Sequence, residues 1–458
     1  MDGEGARWTM ESNEPDGPGV SQAMRRRASV AGLVGGVIEY YDFNAYAFLA
    51  VVIAPQFFPA DNSTASLLAT LAVFGAGYLA KPLGGAFFGR LGDRRGRKDA
   101  MLLTVLMMGV ATALMGLLPV YETAGLLSPA LLVIVRLAQG FAAGGEVMGA
   151  ATYLGEMAED NRRGRMISRG SLGIGIGAAL APLVVGVVTL LVGADAMSAW
   201  GWRMPFLAAI PLFMCSLVLR MRLEDSAEFT VLVNSDRRQK TLVWRIFTEF
   251  RRPLLQSFVL ATAAGIPPYF VIVYMNIYLS ESLGVERQAV YWLSAFVLLF
   301  ALPGYTLGGW AADRFGVARS VAGALLACGL IVYPAMLLMG VGGNIAVMAL
   351  MYLVIAALSN VVTATIQPVL VNLFPTAVRY SGTSLGWNFA AVLVAGATPP
   401  LATLLSRATG SPAAAALLVV AAAVLGLAVL LTVRSHHTHH SEPVPGLDPG
   451  RTLDGRAK

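Results

Sequence analysis

The chain has 458 residues, 56% of them hydrophobic and only 13% charged, with a mean hydropathy of +0.66, which excludes an ordinary water-soluble globule of that size. A net charge of +6 would suit a nucleic-acid binder only if the Lys and Arg residues were gathered on one face. They are bunched in alternate loops, so the charge reads as membrane topology and not as nucleic-acid binding.

Crossing about 30 Å of hydrocarbon takes about 20 mostly apolar residues in a helix. Twelve such stretches follow in chain order, with cores at 30–53, 66–88, 100–119, 129–154, 168–192, 203–219, 254–280, 288–311, 320–340, 344–371, 381–404 and 412–433. None reads as an alternating strand, so the spacing predicts an all-α membrane protein. Residues 1–24 are polar and Gly/Pro-containing and predict a disordered tail with no cleavage site. Residues 435–458, with all four histidines at 436, 437, 439 and 440, predict a second. With both termini inside, the inner flanks hold Arg25–Arg27, the cluster from Arg90 to Lys98, Arg162–Arg169 and most of the linker charges, whereas the outer loops hold Arg203, Arg287 and Arg407. Cys215 and Cys328 lie alone in separate spans, so neither a disulfide framework nor a metal site follows.

The loop "GRLGDRRGRKDAM" (89–101) repeats 220 residues later: Gly89, Asp93, Arg94 and Gly96 match Gly309, Asp313, Arg314 and Gly316. Each copy lies between the second and third span of its half. The chain therefore divides into a six-helix bundle at 25–219, a charged linker at 220–252 and a second six-helix bundle at 253–434. Such pseudo-symmetric halves are a transporter signature, with the solute site expected where they meet.

The Gly-x-x-x-Asp-Arg-x-Gly repeat resembles the loop between helices 2 and 3 of the major facilitator superfamily. "EYYDF" (39–43), "KPLGG" (81–85), "RLAQGFAAGGE" (136–146), "WGWRMPF" (200–206), "LEDSAEF" (223–229) and "FPTAVRYSG" (374–382) are similar to its metabolite:proton symporter branch, which includes proline/betaine, α-ketoglutarate, shikimate and citrate carriers. The chain departs from the branch at Lys81, where Arg is usual, at Asn372, where an acid is usual, and at Tyr40, where Trp is usual. The resemblance implies a multi-pass protein of a bacterial cytoplasmic membrane, working as a monomer. It also implies a cytoplasmic ion-pair gate formed by Asp93, Arg94, Arg97, Glu156 and Arg163 with Asp313, Arg314, Arg319 and Arg379. Exposed ion pairs worth about 0.2–1 kcal/mol each would suit a latch that opens every cycle, and Asn372 would make its second half the weaker.

Ionisable groups inside a span cost about 2.5–3.5 kcal/mol and are seldom idle. Glu39 and Asp42, with Tyr46, fall within about 60° on one face of span 1, and Arg136, Gln139 and Glu146 within about 80° on a face of span 4. Both faces predict one cavity. Glu39, Asp42 and Glu146 are the candidate proton carriers, with a static pair between Glu146 and Lys81 or Arg136 as the alternative. Tyr46, Lys81, Arg136 and Gln139, with Tyr269 and Tyr274 beyond a Pro267–Pro268 break in span 7, and Trp387 and Asn388 in span 11, are the candidate solute contacts.

The resulting expectation is proton-coupled uptake of a small carboxylate-bearing solute. It needs no cofactor, since the proton gradient drives it. The aromatic residues favour a zwitterion such as proline or a betaine, with a mono- or dicarboxylate as the alternative. Span 5, "SLGIGIGAALAPLVVG", partly resembles a proton-driven exporter motif, or else serves close helix packing. An enzyme is not expected, because no span brings together a nucleophile, a base or a metal set.

Overall fold

The computed structural model describes residues 21–59, 63–225, 243–340 and 344–433. The first 20 residues, linker residues 226–242 and the histidine-containing C-terminal tail lie outside the described residues. All regular structure among the described residues is helical. Among the described residues, eleven helices are long and apolar enough to cross a bilayer: Gln22–Phe57, Arg97–Leu117, Leu127–Met157, Arg163–Val192, Gly201–Met221, Arg251–Ser282, Trp292–Phe315, Val317–Gly340, Ile345–Asn372, Thr376–Thr409 and Pro412–Leu430. The remaining expected span is the 33-residue helix Ser63–Arg95, whose apolar run is interrupted by Lys81. These twelve segments are spans 1 to 12 in chain order.

Three local details differ from the sequence expectation. Span 1 starts at Gln22, inside the segment 1–24 expected to be a disordered tail, because the Ser21 hydroxyl accepts the Met24 N–H and caps the first turn. Pro267 and Pro268 do not break span 7; the helix runs on to Tyr269 and then widens into π-helical turns at Phe270–Tyr274 and Tyr278–Ser282. Span 4 turns at Gly144 and Gly145, so Arg136 and Glu146 do not share one straight helix face.

Close packing within the first half rests on small residues. Gly173 and Gly177 of span 5 lie against the backbone carbonyls of Leu33 and Val37 in span 1, and Gly140 of span 4 lies against Gly77 in span 2. The glycines of span 5 are thus used for helix packing. Phe57, Trp202 and Phe206 fill the core of the first half, and Tyr274, Met336 and Tyr352 that of the second. Large apolar side chains such as Leu79, Leu83, Leu191 and Leu330 stand exposed on the outside of the bundles, where lipid would cover them.

The halves meet along two seams, span 2 against span 11 and span 5 against span 8. The repeated loop builds both. A Cβ on Gly89 would come within 2.6 Å of Ser381 Cα, and one on Gly309 within 2.8 Å of the Gly164 carbonyl oxygen. Substituting the pseudo-equivalent residue in either copy would push the halves apart.

Candidate functional site

Two polar centres are buried at membrane depth in the first half, where the sequence suggests one cavity. In the first, the Asp42 carboxylate accepts from Thr112 Oγ1 at 2.9 Å and from Gln139 Nε2 at 2.9 and 3.0 Å. Arg136 Nη1 donates to Gln139 Oε1 at 2.8 Å, so Gln139 relays between the carboxylate and the guanidinium. The guanidinium lies over the rings of Tyr46 (4.2 Å), Phe43 (4.7 Å) and Phe74 (5.3 Å). Tyr46 donates its hydroxyl to the Thr70 carbonyl. One turn before Asp42, Glu39 Oε1 pairs with Lys81 Nζ at 2.9 Å, and that ammonium sits 4.4 Å from the same Phe43 ring and 5.0 Å from Tyr78. From the other half, the Tyr269 hydroxyl donates to Tyr78 Oη at 2.7 Å.

The second centre is Glu146 with Arg220. Two hydrogen bonds join them, one at 2.8 Å, and Thr104 Oγ1 donates to the same carboxylate at 2.8 Å. This corrects the expectation that Lys81 or Arg136 would pair with Glu146. Arg220, placed by sequence in the charged linker, lies on the last turn of span 6 and is fully buried. The signal was present: Phe213, Ser216 and Arg220 recur at helical spacing and all face inward.

The remaining solute candidates are scattered. Tyr274 packs between Phe270 and Tyr278 inside the second half and donates to the Pro412 carbonyl, away from Tyr269. Asn388 donates to the Gly144 carbonyl at 2.6 Å and ties span 11 to the turn in span 4. Trp387 is buried beside it within the core of the second half.

At the end of the bundle that carries the repeated loops, the gate candidates converge. Asp93 accepts the backbone N–H groups of Tyr380 and Ser381 at 3.2 and 2.9 Å and the Ser381 hydroxyl at 2.6 Å. It thereby caps the first turn of span 11 from across the seam. Arg97 bridges Asp93 at 2.8 Å and Glu156 at 3.0 Å, and donates to the Thr376 carbonyl; Arg379 reaches Glu156 at 3.2 Å. The Arg97, Asp93 and Glu156 side chains are fully buried, so the first latch is not the exposed set of pairs that sequence suggests. In the second copy, Asp313 accepts the N–H groups of Gly164 and Arg165 at 2.6 and 3.1 Å, capping span 5 in the same way, with the half-exposed Arg165 guanidinium 3.7 Å away. Arg94 is half-buried, Arg163 lines a cavity described below, and Arg314 and Arg319 are exposed.

Two helix bundles related by a repeated loop, docked through buried polar contacts at membrane depth, are what a rocking transporter requires. Over 448 residues, covering 94% of this chain and 87% of the relative, the sequence is 34% identical to a proline/betaine transporter of Escherichia coli strain K12. The chain belongs to the major facilitator superfamily. The family model for "Sugar (and other) transporter" matches residues 28–246 of this transporter. It is also 33% identical to a shikimate transporter of Escherichia coli strain K12, covering 87% of this chain and 91% of the relative. An ectoine/proline transporter of Corynebacterium glutamicum is 33% identical, over 92% and 88%. Among solved structures, the fold is similar to a proton:xylose symporter bound to 6-bromo-6-deoxy-D-glucose, with a TM-score of 0.71 and 15% identity over 90% of this chain and 96% of that one. The protein is a multi-pass membrane transporter of small solutes and not an enzyme.

Proposed function

We propose that this transporter couples proton entry to uptake of a zwitterionic solute of the proline/betaine class across a bacterial cytoplasmic membrane, with both termini and the repeated loops on the cytoplasmic side. One observation carries the substrate class: the site offers unused polar atoms of both signs. Among the described residues, Arg136 Nε and Nη2 are buried donors and Glu39 Oε2 a buried acceptor without hydrogen-bond partners. The Arg136 guanidinium lies 4.7 Å from the Phe43 ring, and Glu39 holds the Lys81 ammonium that sits 4.4 Å from the same ring. A solute carboxylate suits the Arg136 fork, and an ammonium suits Glu39 together with the rings of Phe43, Tyr78 and Tyr46, at about 0.5–2 kcal/mol for a cation over an aromatic face. Lys81, Arg136 and Arg220 are matched by Glu39, Asp42 and Glu146, so the buried site has no excess positive charge for a di- or tricarboxylate. The names of the relatives that transport proline, betaine and ectoine support the same class.

Asp42 is the better proton carrier of the two carboxylates in span 1, because Glu39 holds a direct ion pair with Lys81. Among the described residues, Asp42 accepts its hydrogen bonds from the neutral donors Thr112 and Gln139 and meets Arg136 only through Gln139. Alternating access then exchanges the closed cytoplasmic latch for an open one. A thermal-shift screen of purified protein against proline, glycine betaine, ectoine, α-ketoglutarate, shikimate and citrate tests the substrate class. Stabilisation by the first three is expected; a response to ketoacid or tricarboxylate alone would overturn it. In proteoliposomes, Asp42→Asn should abolish accumulation under an acid-outside gradient yet keep counterflow exchange, which needs no net proton movement. Loss of both would move Asp42 to the solute site.

A further inference from the structure

Aligning the two loop copies sets Val317 where Arg97 stands, and the end of span 10 sets Asn372 where Glu156 ends span 4. The buried ion pair of the first latch therefore has no counterpart in the second. A cavity of about 210 Å³ occupies that place, with Asn161, Arg163, Asp313, Val317, Asn372 and Arg379 in its wall. One water needs about 10–15 Å³, so the space admits a ligand of several heavy atoms.

We propose that this cavity binds a small oxyanion of the phosphate or carboxylate class, which bridges Arg163 of the first half and Arg379 of the second. The anion takes the role beside Asn372 that the Glu156 carboxylate has in the first latch. Arg163 and Arg379 line the cavity from opposite halves, and a guanidinium binds oxyanions through charge-assisted N–H donors. The Asn161 and Asn372 amides add neutral donors at the rim. The one acid in the wall, Asp313, is turned to the seam, where its two oxygens are held by the Gly164 and Arg165 N–H groups. Arg379 also donates to the Phe374 carbonyl and to Glu156, so the anion shares this guanidinium with them.

Since opening this end separates Arg163 from Arg379, the anion binds the closed form and favours it by mass action. The effect on transport rests on the reading of this end as the gate; the binding does not, and the two are measured separately. Binding is read as thermal unfolding of the purified full-length protein in inorganic phosphate, acetate or chloride at one pH and ionic strength. Gating is read as thiol labelling of Thr152→Cys, a buried position between the halves beneath the latch.

Phosphate or acetate should raise the melting temperature where chloride does not, and slow the labelling several-fold. Whichever anion acts identifies the class. Asn372→Glu, which supplies the carboxylate covalently, should slow labelling without added anion and lose the response to it. Arg163→Gln should lose the response to the anion while keeping its stabilisation by the transported solute. Equal behaviour of all three anions, or a response that survives both substitutions, overturns the site. Stabilisation without slower labelling overturns the bridge between halves.

Discussion

The two copies of the Gly-Asp-Arg loop perform the same docking and carry different locks. In both, a glycine lets the helices touch and an aspartate caps the first turn of a helix in the opposite half: Asp93 on span 11, Asp313 on span 5. Only the first adds a buried Arg97–Glu156 pair, and only there does the linker press on the loop, with Asp225 packed against Gly96 at φ +125°. Gly316, at φ +86°, has no described residue within 4 Å of the same position. The symmetric part of the motif fixes where the halves meet, and the asymmetric part decides how hard one seam is to open. Charges buried at a closed gate regain water when it opens, so Coulomb attraction and desolvation largely offset each other. A buried latch can therefore hold without trapping the protein.

The sharpest way to break this comparison is to remove the capping carboxylate from each copy. Asp93→Asn leaves Arg97 buried with only Glu156 for charge and weakens the cap of span 11. Losing one member of a buried pair costs about 3–5 kcal/mol, and the remaining Glu156 puts the expected loss of the closed form near the low end of that range. Asp313→Asn, whose cationic partner is half-exposed, should cost less than about 1 kcal/mol. Labelling of Thr152→Cys from the cytoplasmic side should rise steeply in the first variant and slightly in the second. Equal responses would mean that the cap, and not the ion pair, holds each seam.

Much of this was legible in the sequence. The repeat, the positive-inside bias and the span count gave the fold, because insertion into lipid leaves few alternatives for a chain with so many long apolar stretches. The gate candidates Asp93, Arg97, Glu156, Asp313 and Arg379 were named by motif, and the structure brings them to one end of the bundle. Burial and partners were not legible. Arg220 looked like another topology-fixing charge at a helix end, and only tertiary packing brings it to Glu146. The straight-helix geometry that aligned Arg136 with Glu146 failed because two consecutive glycines turn the chain between them. Tyr274 was grouped with Tyr269, but only tertiary packing shows that its ring lies between Phe270 and Tyr278 inside the second half.

Smaller and equal effects should follow from the symmetric part. Gly89→Ala and Gly309→Ala each place a methyl within 2.8 Å of atoms across a seam, and overpacking of this kind costs about 1–3 kcal/mol. Both should shift the population toward the open cytoplasmic form by similar amounts, read as faster thiol labelling and slower uptake. A strong effect at Gly89 alone would show that the seams differ in packing as well as charge.

Building the first lock into the second copy shows whether the second seam can hold such a pair. Val317→Arg with Asn372→Glu should close the cytoplasmic end more firmly and slow the transport cycle, with neither substitution doing so as well alone. Neighbouring charges in a shared cavity give coupling energies of about 0.5–3 kcal/mol in a double-mutant cycle. Purely additive uptake rates would show that the second seam cannot form the pair even when given its residues.

The smallest effect should come from the clip on Gly96. Asp225 accepts the Lys98 N–H at 3.0 Å, and burial pushes its carboxyl above the ordinary carboxylate range against the pull of that hydrogen bond. A group that binds its proton more readily docked than undocked lends stability at low pH and loses it as pH rises through the raised value. At neutral pH the docked charge is therefore a mild burden that the N–H bond offsets. Asp225→Asn keeps an acceptor for Lys98 and removes the burden, so gating should change by less than about 1 kcal/mol and lose only the part of its acidic-pH dependence that Asp225 contributes. Asp225→Ala removes the acceptor as well and should cost about 0.5–2 kcal/mol, as for a lost helix cap. Labelling of Thr152→Cys across the acidic range distinguishes the two. An Asp225→Asn effect as large as that of Asp93→Asn would make the linker a member of the latch and widen the difference between the copies, since no described residue packs on Gly316 to match it.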